Sequence, residues 1–198
     1  MLEDLTVPKL LANPTEELAR PLVDAAQRLE QFGVRCITGS CGFLALYQPY
    51  LAKAVQIPVC VSSLLQADLI HRMTARPVGV ITASKSALTP AHLAAVGADA
   101  VPLEIEGLDD SDEFASVILR NERDDMDLAL VETELLRAGQ RLISRAPDIG
   151  AILLECTDLP PYANRLQLRL RRPVFDIITL VSMLATASGR QPYAGFIH

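Results

Sequence analysis

The chain of 198 residues lacks the features that would place it at a membrane, in a secretory route or on a nucleic acid. No apolar run reaches the roughly 18 residues that a membrane-spanning helix needs. The longest candidate, residues 174–187, is broken by Asp176, Thr179, Ser182 and Thr186. The opening MLEDLTVPKL has no basic stretch followed by an apolar one, so it does not read as an export signal. Basic residues are outnumbered 18 to 24 by acids and are scattered, giving a net charge of −6 and no basic surface for nucleic acid. The four cysteines, Cys36, Cys41, Cys60 and Cys156, form neither a CxxC motif nor a cluster with histidine, which argues against a structural zinc site. A cytoplasmic protein with reduced thiols and no bound metal is expected.

Half of the residues are apolar and 21% are charged, enough for a substantial core. Short β-branched runs alternate with longer helical patterns. Candidate strands are residues 34–38, 57–61, 78–82, 100–105, 150–155 and 173–177. They are almost wholly apolar, as in parallel strands covered on both faces. Asn13-Pro14-x-Glu16 predicts a helix start, and that helix runs to Phe32 with a kink or restart at Pro21. Thr89-Pro90 opens a helix that Gly97 closes, and residues 126–145 form the longest helix, ended by Pro147. The alternation predicts a doubly wound α/β fold with mainly parallel sheets.

A repeat lies within this pattern. Cys41 and Cys156 are 115 positions apart (156 − 41), as are Pro58 and Pro173, each followed by valine, and Leu65 and Leu180. Gln27-Arg28-Leu29 recurs as Gln140-Arg141-Leu142 at an offset of 113 (140 − 27), which an insertion of two residues near Pro147 would explain. Each half reads helix, strand, cysteine, helix, Pro-Val strand, helix. The second half adds an opening strand at Val78–Thr82 and a helix before Val101-Pro102. The first half shows only Val7-Pro8. Either its opening strand precedes Met1, or this half is reduced.

Cys41 and Cys156 each follow an apolar strand, where open α/β sheets bind ligands. A helix start beside each would favour a thiolate and a bound carboxylate. Pseudo-twofold symmetry would set the two sulfurs on opposite sides of one cleft. Inverting a carbon next to a carboxylate needs a proton removed from one face and one returned to the other, and two thiols can share that work. The intermediate needs hydrogen-bond donors, for which Ser40, Thr157, Ser84, Ser86 and backbone N–H groups are candidates. Cys36 and Cys60 lie inside strands and read as buried apolar residues. His71, His92 and His198 read as surface or satisfied core residues. Residues 109–113 read as a solvated loop and helix start and not as a metal site, and Asp176 as a helix cap or a cleft hydrogen-bond partner. Arg165, Arg169, Arg171 and Arg172 read as an exposed helix face and its exit.

At the cysteine motifs, the sequence resembles the aspartate/glutamate racemase superfamily over nearly its whole length. Ser40-Cys41-Gly42-Phe43 occupies the place of that family's first catalytic cysteine motif, and the segment from Leu154 through Cys156-Thr157-Asp158 to Pro160 resembles its second. Gly79 to Ser86 looks like its glycine-containing strand with a loop that holds the substrate carboxylate. The resemblance implies two Rossmann-like halves with a cleft between them. The first would span residues 1–76 plus 177–198, through a returning last helix, and the second residues 77–176. It also implies catalysis by Cys41 and Cys156 without a cofactor. Ser40, Gly42, Phe43, Ser84, Ser86, Thr157 and Asp158 would contact a small carboxylate, and the chain would form a homodimer. Gly42-Phe43 replaces the Asn-Thr frequent in glutamate racemases, and Asp158 stands where their histidine would be, pointing away from glutamate as substrate. The expected reaction is racemisation or epimerisation. The alternatives are decarboxylation, cis–trans isomerisation, or carboxylate binding without turnover.

Overall fold

The computed structural model describes residues 16–190, 192 and 195. The expected helix start at Asn13-Pro14, the Val7-Pro8 pair and His198 lie outside them. Helix α1 (Glu16–Gln31) leads to strand β1 (Ile37–Thr38), a 3-10 turn (Gly42–Tyr47) and helix α2 (Gln48–Ala54). Strand β2 (Val59–Cys60), a second 3-10 turn (Ser63–Gln66) and helix α3 (Ala67–Thr74) complete this part. Strand β3 (Val78–Thr82), helix α4 (Pro90–Ala95) and strand β4 (Leu103–Gly107) follow. A π-helical turn (Ala115–Leu119) precedes helix α5 (Leu128–Arg145) and strand β5 (Ala151–Leu154). The chain continues through helix α6 (Ala163–Leu170), strand β6 (Val174–Phe175) and helix α7 (Ile177–Ser188).

Strands β1 and β2 pair with each other, and β4-β3-β5-β6 form a four-stranded sheet; every pairing is parallel. The repeat extends to the register. Ile37 pairs with Val59 and Thr38 with Cys60; adding 115 to each gives Ile152 with Val174 and Leu153 with Phe175, both of which pair. Strands β3 and β5 are buried at every position, as continuous apolar runs predict. The main core surrounds them, with Val80, Ile81, Ile152 and Leu153 fully enclosed.

Several elements depart from the sequence expectation for identifiable reasons. Helix α1 passes through Pro21 unbroken. The carbonyl four residues earlier belongs to exposed Glu17, where water can take the place of the lost N–H. Strand β4 starts three residues later than expected, because residues 98–101 close a turn through Val101 N–H to Ala98 O (3.2 Å). Helix α5 starts at Leu128 because the Asp127 carboxylate accepts from the N–H groups of Ala129 and Leu130. Cys36 precedes β1 and is half-buried rather than inside a strand, whereas Cys60 is buried in β2. Arg172 does not point to solvent: its guanidinium donates to the carbonyls of Ile149 (2.8 Å) and Pro147 (3.1 Å).

Helix α7 returns to the first part of the chain. Ile177 and Leu180 form a small core with Cys60, against which Leu65 packs. Gln66 donates to the Asp176 carbonyl (2.9 Å) and accepts from the Thr179 hydroxyl (3.1 Å). Asp176 is the cap of this helix and is buried, its carboxylate accepting from Thr179 N–H (2.8 Å).

Candidate active site

The two cysteine loops leave the carboxyl ends of β1 and β5 and pack directly on each other. The Thr157 hydroxyl donates to the Ser40 carbonyl across the gap (2.6 Å). Beneath this bond, Gly42 lies so close to Glu155 that a side-chain carbon at position 42 would overlap both its Oε1 and its carbonyl oxygen. The Ser63 hydroxyl donates to the Leu154 carbonyl (2.7 Å), a third link between the two parts of the chain. Both thiols feel the charges of the same two acids, Glu155 and Asp158. Cys41 and Cys156 therefore share one environment.

That environment opposes ionisation. Burial, then the charges of Glu155 and Asp158, push the Cys41 thiol up to about 11, while the backbone N–H groups of Phe43 and Leu44 act in the opposite direction. Cys156 is 7% exposed. Burial first, then Asp158 and Glu155, carry its thiol well above the ordinary range. Its Sγ donates to Asp158 Oδ2 (3.5 Å), which holds the proton on sulfur. The stretches Ser40–Phe43 and Glu155–Asp158 contain no lysine or arginine.

The structure brings together Ser40, Cys41, Gly42, Cys156, Thr157 and Asp158. Ser40 and Asp158 are exposed, Cys41 and Thr157 half-buried. Phe43 is present through its backbone; its ring is 4% exposed and meets the His92 ring edge-on at 5.5 Å in the core. Ser84 and Ser86 stand beyond the end of β3, and both hydroxyls donate to Asp109 Oδ1 (2.6 and 3.0 Å). Asp109 also accepts from Lys85 N–H (2.7 Å), so the acidic run begins as a brace for the serine loop and not as a solvated segment. Glu113 in the same run is buried, paired with Arg123, and accepts from Asp127 N–H (2.6 Å). His71 is half-buried and its Nδ1 lies 2.8 Å from the Arg76 carbonyl. His92 is buried, which pushes its imidazole below the ordinary value; its Nδ1 meets Thr89 while Nε2 has no partner among the described residues.

One site residue escaped the sequence reading. Glu155 is 1% exposed and accepts from the Thr82 hydroxyl through Oε2 (2.8 Å), while Oε1 has no partner among the described residues. Burial pushes its carboxyl up to about 7, against the Thr82 hydrogen bond, which lowers it. Its signal was an acid ending an otherwise apolar strand, immediately before a cysteine. Four surface cavities measure about 480–600 Å³; neither cysteine lines any of the four, and one of them takes in Lys85 and Asp109 beside the serine loop. Among the described residues, no cluster of histidine, cysteine and acidic side chains could hold a metal ion.

The fold and the paired cysteine loops define a duplicated α/β protein with two thiols in one acidic setting. The chain belongs to the Asp/Glu/hydantoin racemase family, whose profile matches residues 3–185. It is 34% identical over 212 residues to dimethylsulfoniopropionate lyase 5 of Emiliania huxleyi (strain CCMP1516), covering 96% of this chain and 41% of that protein. The chain spans 41–56% of the length of the curated relatives it matches. Among solved structures, it is similar to unliganded arylmalonate decarboxylase (19% identity, TM-score 0.61, 92% of this chain and 81% of that one). It is also similar to the aspartate racemase of Picrophilus torridus (15% identity, TM-score 0.59, 96% and 77%). These two likenesses establish the fold.

Proposed function

We propose that the chain carries out cofactor-independent proton abstraction next to a carboxylate, and that its substrate is a small carboxylate bearing a cationic group, with β-elimination from a sulfonium propionate as the first reading. The single observation that carries it is the direct packing of the Cys41 and Cys156 loops on each other, beside Glu155 and Asp158, whose charges raise both thiols. A substrate cation seated there offsets the local negative charge and favours a thiolate, whereas a doubly charged malonate would oppose one. In the elimination, a cysteine thiolate takes the α proton. The C–H electron pair forms the carbon–carbon double bond, and the β carbon–sulfur pair leaves with neutral dimethyl sulfide, releasing acrylate. The second thiol, still protonated, donates to the carboxylate as charge moves onto it. The similarity to dimethylsulfoniopropionate lyases supports this choice.

Racemisation of a small amino acid is the second reading. An α-ammonium group satisfies the same charge argument, and the presence of two thiols, one for each face, favours it. The purified chain is incubated with dimethylsulfoniopropionate, and released dimethyl sulfide is measured by gas chromatography. In parallel, α-proton exchange in deuterated water is followed by NMR for both enantiomers of an amino-acid panel. Dimethyl sulfide release supports the lyase, and exchange with inversion supports the racemase. Cys41→Ser and Cys156→Ser should each lower the observed rate at least ~100-fold. Absence of both reactions, or their survival in the serine variants, overturns the proposal.

A further inference from the structure

We infer that Glu155 is a positioning residue of the two-cysteine site, holding a proton whenever a neighbouring thiol is ionised, so that the pocket carries one buried negative charge at a time. The inference rests on the two-cysteine reading above and adds the group that sets its charge.

The geometry is specific. Glu155 precedes Cys156 in the chain, and its Oε1 lies against Gly42, the residue after Cys41. It therefore touches both loops from beneath. One oxygen has a donor, the Thr82 hydroxyl; the other has none among the described residues. A buried carboxylate oxygen without a donor favours the protonated acid. Ionised Glu155 raises both thiols, and by reciprocity a thiolate at either position must raise Glu155. The three groups titrate as one coupled set. The other charged group acting on both sulfurs is Asp158, which is exposed and screened by water.

The test reads thiol ionisation and needs no substrate, so its failure is separate from failure of turnover. Alkylation of Cys41 and Cys156 by iodoacetamide is timed at pH 8 by peptide mass spectrometry in the wild type, Glu155→Gln and Glu155→Asp. Removing the charge should lower the pKa of both thiols and so raise their thiolate fraction at this pH. Because nucleophilicity falls with basicity, the alkylation rate should rise about threefold in the glutamine variant. The aspartate variant keeps the charge and should react at the wild-type rate. Equal rates in all three proteins overturn the inference, and so does equal acceleration in both variants, which would mark looser packing. If the glutamine variant does not fold, wild-type protein labelled with ¹³C at glutamate carboxyls decides the matter. The Glu155 signal must titrate near pH 7, and a carboxyl already ionised at pH 5 overturns the inference.

Discussion

At Glu155, a carboxyl with almost no contact with water has one donor for its two oxygens among the described residues, and the consequence is a pH-dependent stability. The unfolded chain ionises this group near 4.5, the folded chain near 7. Between those values the native state keeps a proton that the unfolded state has lost, so stability falls as pH rises through the window and is level above it. The full effect is about 3 kcal/mol. Glu155→Gln has no such dependence. The difference in unfolding free energy between the two proteins, from urea titrations at pH 4.5 and 8, should shift by that amount in favour of glutamine at high pH; a constant difference would refute the assignment. Gly42 gives a second outcome at this scale. Alanine there overlaps a backbone oxygen that cannot move aside, so Gly42→Ala should cost about 2–3 kcal/mol, measurable as a lowered melting temperature. Cys41 and Cys156 were legible in the sequence because the repeat singled them out from Cys36 and Cys60. Glu155 was overlooked, because an acid closing an apolar strand marks the position without telling whether its side chain turns inward.

At the scale of elements, caps and braces decide where the chain turns. Asp176 starts α7 beneath a network shared with Gln66 and Thr179. Asp176→Ala should cost about 1–2 kcal/mol, and hydrogen exchange should show the first turn of α7 opening more than α5. Asp109 braces the Ser84–Ser86 loop. Burial pushes its carboxyl up, but hydrogen bonds from Ser84, Lys85 and Ser86 outweigh this and hold it below the usual value. Its folded pKa is depressed, so its contribution is present above the unfolded value near 3.8 and fades as pH falls through the folded one. Asp109→Asn should therefore destabilise the protein at pH 7 and little at pH 2.5, by urea titration at both. Strands β3 and β5 were readable because burial on both faces leaves an unbroken apolar run. The edges of β1, β2 and β4 were not, because a turn or a missing neighbour, rather than side-chain pattern, ends them.

At the scale of the molecule, the repeat of 115 residues is a repeat of hydrogen-bond register and of the loops that follow it. Sequence showed the offset, but not that the two loops touch; that follows from Thr157 reaching Ser40 and Ser63 reaching Leu154. Thr157→Val removes one of these bonds at similar volume, and should cost about 1 kcal/mol, read from urea unfolding.

Those two hydroxyl bonds rivet segments that stand 117 and 91 positions apart along the chain. Slack introduced at either loop should therefore pass to the other. In the valine variant, hydrogen exchange should quicken at the amides around Cys41 as well as at those beside residue 157.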